Sequence, residues 1–416
     1  MNRNLLTQIK NEGRDNLWLV VEFTIVAVVV WMLTVSLRQM LVNKYTELGY
    51  DIEDVYRISV RRIAEDNPRY IHDIDNNEDL RTLIANIRKS PYVETAGFSR
   101  NSMPYSYSYL GYGLKVIGEP DSILYAGNTR QGSPQMARVL RLKGVDGITP
   151  EELEEMLAKG SILISPITSK SFTTENREWV ESLIGKRGFI DDTTRTYPIS
   201  AFISHMRRND FESGGNTIYV PIDESTAEIG QAREIGVRVK PGMGKKFEDE
   251  FYANPDMRMM RNTYLSQLKD MRDVRAVTIS SQESSLRLYV AGIVFLLVII
   301  FLGLLGTFWF RIRQRTGEIA LRKTCGATAR DIFRRIIGEG MILLAVALIP
   351  ALIIGTCVIY FYYNELELAF FKIDWSPFAL CFGITAAVMA LIIIIGVLIP
   401  ARRAMSIEPA IALKEE

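Results

Sequence analysis

The chain reads RIRQRTGEIALRKTCGATARDIFRR from Arg311 to Arg335, and eight of these 25 positions are lysine or arginine. Apolar stretches flank this basic segment on both sides, at residues 288–310 and 341–363. Two further apolar stretches of similar length lie at residues 17–37 and 378–399. Because about 20 apolar residues in a helix are enough to cross a bilayer, the sequence predicts a membrane protein with four transmembrane helices.

The distribution of charge predicts how these helices are oriented. Basic residues are concentrated in the loop at residues 311–340 and near both ends of the sequence, in residues 1–16 and 400–416. In contrast, residues 364–377 carry more acidic than basic side chains. Since positively charged loops stay in the cytosol, we expect both termini and the basic loop on the cytosolic side. Residues 364–377 and 38–287 then lie on the outer side.

The long segment between the first two spans contains no cysteine. All three cysteines, Cys325, Cys357 and Cys381, fall in the basic loop or in a predicted span. The outer segment therefore has no disulfide and must be stabilised by its own hydrophobic core. The first span is longer than the apolar core of a signal peptide, and no small-residue cleavage pattern follows it. It is predicted to be an uncleaved signal anchor.

The outer segment, residues 38–287, is predicted to form an α+β domain with two subdomains. One subdomain lies near the membrane and is built from two strand-helix-strand halves, at about residues 50–102 and 230–280. The other is an insertion at about residues 103–229. The fold class is therefore a membrane α bundle of one plus three helices, with a large two-subdomain domain inserted between helices 1 and 2.

Within these subdomains, apolar patterning predicts individual elements. The second strand-helix-strand half is expected to have strands at residues 235–239 and 274–279, with residues 245–270 mostly helical. A helix in the insertion should begin at Pro150, because proline is favoured in the first turn. Strand candidates of the insertion, separated by turn residues, are residues 160–165, 187–190, 197–204 and 217–220.

Two flanking segments connect the outer domain to the predicted spans. Residues 38–48 and 281–287 contain no strong helix breaker. They are therefore expected to extend the first and second spans as a helical stalk, which would tie the outer domain mechanically to the membrane helices.

The basic loop itself is predicted to contain a short helix followed by the start of the third span. Thr316 is placed to cap a helix that runs from Gly317 to Cys325, and Gly326 stands where a C-terminal cap is expected. Thr328 and Asp331 have the spacing of a capping box for the next helix. That helix carries an apolar stripe with helical spacing, formed by Ala329, Ile332, Phe333, Ile336 and Ile337.

Amphipathicity alone leaves two interpretations of this loop open. In the first, its helices lie on the membrane surface with their arginines among lipid headgroups. In the second, the short helix is a docking element for a cytosolic partner and transmits that partner's motion to the two spans that it connects.

Two motifs resemble a known family. The segment from Arg315 to Ile332, RTGEIALRKTCGATARDI, is similar to the loop between the second and third spans of FtsX-like, or MacB-like, ABC transporter permeases. This family includes macrolide exporters and lipoprotein-releasing permeases. The tail, with PARRA from Pro400 and EPAIAL from Glu408, resembles the closing pattern of the same family. The order of one span, a large outer domain and three spans also resembles it.

The resemblance implies a permease subunit in the cell inner membrane that couples ATP hydrolysis to motion of its outer domain, and so to export of a peptide, lipoprotein, antibiotic or similar substrate. Residues 316–327 would be the coupling helix. ATPase-coupling positions that match the family motif are Glu318, Ile319, Arg322, Gly326 and Ala327. Since sixteen residues precede the first span here, the ATPase is expected on a separate chain.

The expected partners are a cytosolic ABC ATPase, a second permease chain in a homodimer or related heterodimer, membrane lipid and a periplasmic protein, with no nucleic acid. The chain is expected to be non-catalytic, without cofactor or metal, since ATP and Mg would be bound by the ATPase. Two other functions stay open: a membrane sensor or receptor, and an FtsX-type regulator of cell-wall hydrolases.

Several other residues deserve a hypothesis of their own. Tyr105, Tyr107, Tyr109 and Tyr112 would form a contact surface for a partner or substrate if they shared a strand face, although ordinary β-propensity explains them equally.

The glycine-rich segment that begins at Pro241 lacks the pattern of a phosphate loop and is predicted to be a turn. The acidic segment after His72 departs from the calcium-loop pattern. Glu22, near one end of the first span, is expected to reach the interface or to pair with a basic residue.

Overall fold

The structure, a computed structural model, describes residues 13–100, 102–106, 111–119, 125–166, 177–190, 195–212, 215–365 and 375–406. Two compact units divide the chain. The membrane unit contains the chain up to Val42 and from Ser284 onward, and the outer unit is Asn43–Glu283.

The α-helices in the described residues are α1 (Gly13–Tyr45), α2 (Asn76–Arg88), α3 (Met136–Val139), α4 (Pro150–Ala158), α5 (Arg177–Glu181), α6 (Gly244–Ala253), α7 (Met271–Gln314), α8 (Thr316–Thr324), α9 (Ala329–Glu365) and α10 (Ser376–Ser406). The β-strands are β1 (Val55–Arg62), β2 (Val93–Ser99), β3 (Gly111–Val116), β4 (Tyr125–Gly132), β5 (Ile162–Ile164), β6 (Arg187–Ile190), β7 (Tyr197–Phe202), β8 (Thr217–Pro221), β9 (Glu234–Val239), β10 (Met259–Met260) and β11 (Thr263–Asp270).

Four helices, α1, α7, α9 and α10, are long and apolar enough to cross a membrane. The predicted arrangement of one span followed by three is confirmed. Both helices that flank the outer domain extend beyond their apolar stretches, because α1 continues to Tyr45 and α7 begins at Met271. The two segments expected to form the stalk are thus helical up to Tyr45 and throughout residues 281–287.

Side chains from all four long helices form the core of the membrane unit. Its buried members are Leu19, Phe23, Leu304, Phe308, Leu343, Leu344, Ala347, Met389, Ile393 and Val397. A second cluster surrounds Trp31, which is 2% exposed and packs with Ile359, Phe378 and Cys381. The Trp31 indole donates a hydrogen bond of 3.0 Å to the Phe378 carbonyl, and its ring meets the Phe382 ring edge-on at 5.0 Å. This buried indole is therefore fixed in position and in orientation.

Gly355 of α9 lies directly against this indole. A Cβ atom on Gly355 would be 2.2 Å from Cζ3 of Trp31, whereas one on Gly292 of α7 would meet nothing within 4 Å. Gly355→Ala is therefore expected to destabilise the protein by about 1–3 kcal/mol through overpacking. Thermal unfolding in detergent measures the effect, with Gly292→Ala as the control for helix propensity. Equal melting temperatures for the two variants would contradict the expectation.

Five antiparallel strands form one sheet of the outer unit, in the order β10, β11, β1, β9, β2. Two strand-helix-strand segments, β1-α2-β2 and β9-α6-β11, interleave in it so that β1 and β9 are central. This is a double split β-α-β arrangement. The apolar face of α2 is buried in the core of this sheet, together with Phe247 and Phe251 of α6.

The inserted subdomain is a closed barrel of six strands. Its ring order is β4, β3, β6, β7, β5, β8, and a parallel β8–β4 pairing closes it. The ladder from β2 to β4 consists of one residue pair, Ser99 with Gly132. The barrel core is Leu114, Val116, Tyr125, Ile162, Ile164, Val180, Leu183, Ile190, Ile199, Ile218 and Val220. The two predicted subdomains are thus a sheet and a barrel inserted between β2 and β9.

Two predicted elements of the second half are wrong. Residues 245–270 are helical only as far as Ala253, and β10 and β11 follow. Residues 274–279 belong to α7 instead of forming a strand, although they contain several β-branched residues. Two residues of this segment, Val274 and Ile279, are buried with Met271, the first residue of α7, in an apolar cluster of the outer unit. The spacing of these three residues suits a helix and not a strand.

Candidate functional site

The short helix α8 has a well-defined C-terminal end. Gly326 adopts φ +95°, which favours glycine. Its amide donates to the Lys323 carbonyl, and the Ala327 amide donates to the Arg322 carbonyl, each at 3.0 Å. These two bonds are those of a Schellman motif, so the predicted C-terminal cap at Gly326 is confirmed. The motif turns the chain sharply between α8 and α9.

The start of α9 is also capped as predicted. The Thr328 amide donates to Oδ2 of Asp331 at 3.1 Å, and the Asp331 amide donates to Oγ1 of Thr328 at 3.3 Å. The cap predicted for α8 is wrong, because Thr316 lies inside the helix and its hydroxyl donates to the Arg313 carbonyl at 2.8 Å. Arg315, the only residue between α7 and α8, is the N-cap residue and makes no side-chain capping bond.

The inner face of α8 is packed against its neighbouring helices. Ile319 is 7% exposed and forms a cluster with Ile332 of α9, which Ile312 and Ile336 extend. Phe333, Ile336 and Ile337 of the same α9 stripe pack against the core of the membrane unit. Protein therefore covers much of the stripe that could have faced lipid. Ile319 is not available to a partner and instead positions the helix.

A buried carboxylate fixes the base of α8 electrostatically. Glu339 of α9 is 9% exposed. It accepts from the Arg315 guanidinium at 2.8 Å and from the Arg311 guanidinium at 3.4 Å. The end of α7, the start of α8 and the first turns of α9 thus meet at one acidic side chain. A cavity of about 50 Å³ lies beside it and is lined partly by Glu318 and Arg322.

The exposed side of α8, which we call the α8 outer face, has Leu321 and Cys325 away from the packed side, and Glu318 and Arg322 at the edge that borders this cavity. Leu321 is 56% exposed, and Cys325 is exposed too. Glu318 and Arg322 form a pair with Nη2–Oε1 2.6 Å, and each side chain is about 40% exposed. Leu321 was not among the predicted coupling residues, although its two-residue offset from Ile319 on a helix predicts opposite faces.

In the outer unit, a second group of contacts joins the stalk to the segment between β7 and β8. We call this segment, residues 205–212, the 205–212 loop. Near the end of α1, Asn43 donates to the Phe211 carbonyl at 2.8 Å, and the Lys44 ammonium lies 5.7 Å from the centre of the Phe211 ring. Arg207, which is 2% exposed, donates to the Thr46 carbonyl at 2.6 Å.

The first part of α7 binds the same loop. The Arg275 guanidinium forms a two-pronged ion pair with Asp210, which is 3% exposed. Burial raises the pKa of the Tyr105 hydroxyl, which stays protonated and donates to Asp210 at 3.0 Å. Lys44 and Glu283 then link α1 and α7 directly at 3.0 Å. Both stalk helices are therefore attached to one loop of the barrel subdomain.

This position of Tyr105 corrects the predicted tyrosine surface. Tyr105 is 3% exposed in a turn with φ +58°, so it does not share a strand face with Tyr112 of β3. Tyr107 and Tyr109 lie outside the described residues. Among these four residues, Tyr112 is the one that the structure places on a strand with partial exposure.

The other segments with a chemical appearance have local structural roles. The glycine-rich segment is a turn, with Gly242 at φ +73°, before α6. After His72, Asp75 caps α2 by accepting from the Asn77 amide at 2.8 Å. Glu22 has no ion-pair partner within the described residues. Among all the residues that the structure describes, no group of three or more His, Cys, Asp or Glu side chains could hold a metal ion.

Residues 290–409 match the family model described as FtsX-like permease C-terminal. This part of the chain is an FtsX-like permease domain. The match covers the second part of α7, all of α8, α9 and α10, and most of the tail motif, and it confirms the predicted family for these residues. The short helix α8 thus lies inside the matched region.

Two solved structures resemble part of this chain. The extracellular domain of the noncanonic ABC-type transporter YknZ from Gram-positive bacteria is 13% identical, with a TM-score of 0.30, and the match covers 51% of this chain and 100% of that one. A domain of a permease protein from Porphyromonas gingivalis is 14% identical, with a TM-score of 0.31, over 53% of this chain and 94% of that one. No curated protein sequence matches.

Proposed function

We propose that this chain is the permease subunit of an ABC transporter, in which a separate ATPase binds the α8 outer face. The observation that carries the proposal is the asymmetry of α8. One side of this helix is held by Ile319 and by the contacts of Glu339, while Leu321 and Cys325 on the other side are open. A free apolar side chain beside a charged pair suits a protein interface with a polar rim.

The attachment of α8 explains how an ATPase would act. Because α8 is capped at its C-terminus and packed along its inner face, a force on it displaces α7 and α9 instead of deforming a loop. In the outer unit, α7 reaches the barrel subdomain through Arg275 and Asp210. We therefore propose mechanotransmission, with nucleotide-driven movement of α7 changing the position of the 205–212 loop, as the means by which the transporter exports its substrate.

The remaining features of the assembly belong to the same proposal. One chain supplies four spans and one α8 outer face, so a complete transporter would contain two permease chains, as a homodimer or related heterodimer, and two ATPases. ATP and Mg would be bound by the ATPases. The basic loop would lie in the cytosol and the outer unit outside the cell inner membrane, as the positive-inside rule indicates.

Affinity purification of the full-length chain in mild detergent tests this proposal. Wild type is expected to co-purify with an ABC ATPase, and Leu321→Asp is expected to lose it, because a charge replaces the apolar centre of the interface. Ile71→Asp, at a residue of the outer unit that is 47% exposed, is the matched control and should retain the ATPase. Absence of the ATPase from the wild-type sample, or its retention by Leu321→Asp, would contradict the proposal.

A paired exchange and a labelling experiment separate docking from helix stability. Glu318→Arg combined with Arg322→Glu keeps an ion pair within α8 but reverses its charges, so loss of the ATPase would show direct contact.

Cys325 is exposed at the end of α8, whereas Cys357 and Cys381 lie within spanning helices. A charged maleimide should label Cys325 in vesicles and be blocked by bound ATPase. Resistance without ATPase would favour burial among lipid headgroups.

A further inference from the structure

A polar cavity lies at the seam between the barrel and the five-stranded sheet of the outer unit. Its volume is about 220 Å³. The barrel contributes Tyr112, Gln131 and Tyr197 to its wall, and the sheet side contributes Arg100 and Gln231. Ligand sites occur preferentially at such junctions between substructures. We call this space the seam cavity.

Arg100 places a positive charge in the lining of the seam cavity. Its guanidinium donates to the side-chain oxygens of Gln231 at 2.7 Å and Gln131 at 3.3 Å. It forms no ion pair with a carboxylate of the described residues. Glu228 also lines the cavity, and its carboxylate pairs with Arg195 at 2.6 Å, so this acidic side chain already has a basic partner. The side-chain amides of Gln131 and Gln231 thus orient the Arg100 guanidinium, whose remaining N–H groups have no hydrogen-bond partner among the described residues.

The rest of the lining limits what this cation can bind. Arg195 lies 5.0 Å from the centre of the Tyr197 ring and keeps that ring at the cavity wall. Tyr112 and the buried Ile222 add further apolar surface. A volume of about 220 Å³ is below the range of about 300–1,000 Å³ for sites of drug-sized ligands, so the seam cavity suits a small group.

We propose that the seam cavity binds a carboxylate of a peptide or protein, together with one adjacent apolar side chain. A planar guanidinium matches a carboxylate in geometry, and a single positive charge matches a single negative one. A dianionic phosphate would need a second free cation. The proposal deepens the proposed function by naming the chemistry of an outer substrate or partner. It concerns ligand binding without nucleotide, so it can fail or hold independently of ATPase coupling.

Binding of short peptides to the full-length chain in detergent, without an ATPase, tests the proposal. The three probes are N-acetyl-Ala-Ala-Phe with a free carboxylate, its C-terminal amide, and the amide of N-acetyl-Ala-Glu-Phe. At least one carboxylate peptide is expected to bind about tenfold or more tightly than the peptide without a carboxylate. The first probe tests a chain-terminal carboxylate, and the third tests an acidic side chain.

Charge variants locate the binding site. Arg100→Gln should weaken carboxylate binding by about tenfold to a hundredfold, which is the usual effect of losing a charged hydrogen bond. Arg61→Gln, which removes an exposed arginine of β1 outside the seam cavity, should bind like wild type. Glu228→Gln releases Arg195 from its ion pair and should tighten binding by severalfold. This gain cannot result from misfolding.

Two results would overturn the proposal. The first is equal binding of all three peptides, or no saturable binding up to millimolar concentration. The second is binding to Arg100→Gln within twofold of wild type, with Glu228→Gln also unchanged. If Arg100→Gln unfolds at a lower temperature than wild type, Glu228→Gln and Tyr197→Ala decide the matter, because tighter binding to the first and weaker binding to the second are both required.

Discussion

Arg275→Ala is expected to lower the free energy of unfolding of the outer unit by about 3 kcal/mol. Within the described residues, the substitution leaves the Asp210 carboxylate, which is 3% exposed, with the Tyr105 hydroxyl as the side-chain donor whose bond to it remains. Breaking a buried ion pair from one side typically costs about 3–5 kcal/mol. We expect the lower end of this range of free energies because the Arg275 side chain is 44% exposed, so solvent weakens the ion pair. In a unit of this size, 3 kcal/mol lowers the melting temperature by about 6–12 °C.

The double variant Asp210→Asn with Arg275→Ala separates stability from transmission. Asparagine can still accept from Tyr105 but leaves no buried charge, so most of the lost stability should return. The attachment of α7 to the 205–212 loop stays broken. Hydrogen exchange of the barrel strands, measured in the complex with ATPase and with or without a non-hydrolysable nucleotide, should then respond to nucleotide in wild type only. The same response in a stable double variant would contradict transmission through this loop.

Local patterns in the sequence predicted the elements whose stability is itself local. Four spans followed from apolar length, the C-terminal cap of α8 from Gly326, and the capping box of α9 from the spacing of Thr328 and Asp331. Strand β6 has the predicted bounds, Arg187–Ile190. Each of these depends on residues a few positions apart, whose chemistry can be read directly from the chain.

Features that depend on distant residues were not predictable in this way. The barrel closes through the parallel pairs β4–β8 and β5–β7, and strand patterning shows that a strand exists but not which strand it pairs with. The ion pair of Asp210 and Arg275 joins residues 65 positions apart. Residues 274–279 show that a local pattern can also mislead. Their β-branched composition favoured a strand, but these residues belong to α7, in which Met271 and Val274 pack into an apolar cluster.

Glu339→Gln is expected to loosen α8 more than any single change on the α8 outer face. The substitution removes the carboxylate that neutralises Arg311 and Arg315, whose side chains are 14% and 25% exposed. These two partly buried cations then lack their shared acidic partner, at a cost of about 3 kcal/mol. If this energy holds α8 in place, its backbone amides should exchange with solvent about a hundredfold faster.

Glu318→Gln is the matched control for this experiment, because it removes a carboxylate from the same loop. The pair of Glu318 with Arg322 is about 40% exposed on both sides and lies within one helix, so its loss should change exchange by about twofold. Equal exchange of α8 amides in the two variants would contradict a clamp at Glu339. If Glu339→Gln accelerated the exchange of α10 amides as much as that of α8 amides, the clamp would be contradicted too, because the whole membrane unit would then be loosened. A selective effect on α8 would show that this helix is held by its inner contacts, as the proposed transmission of force to α7 and α9 requires.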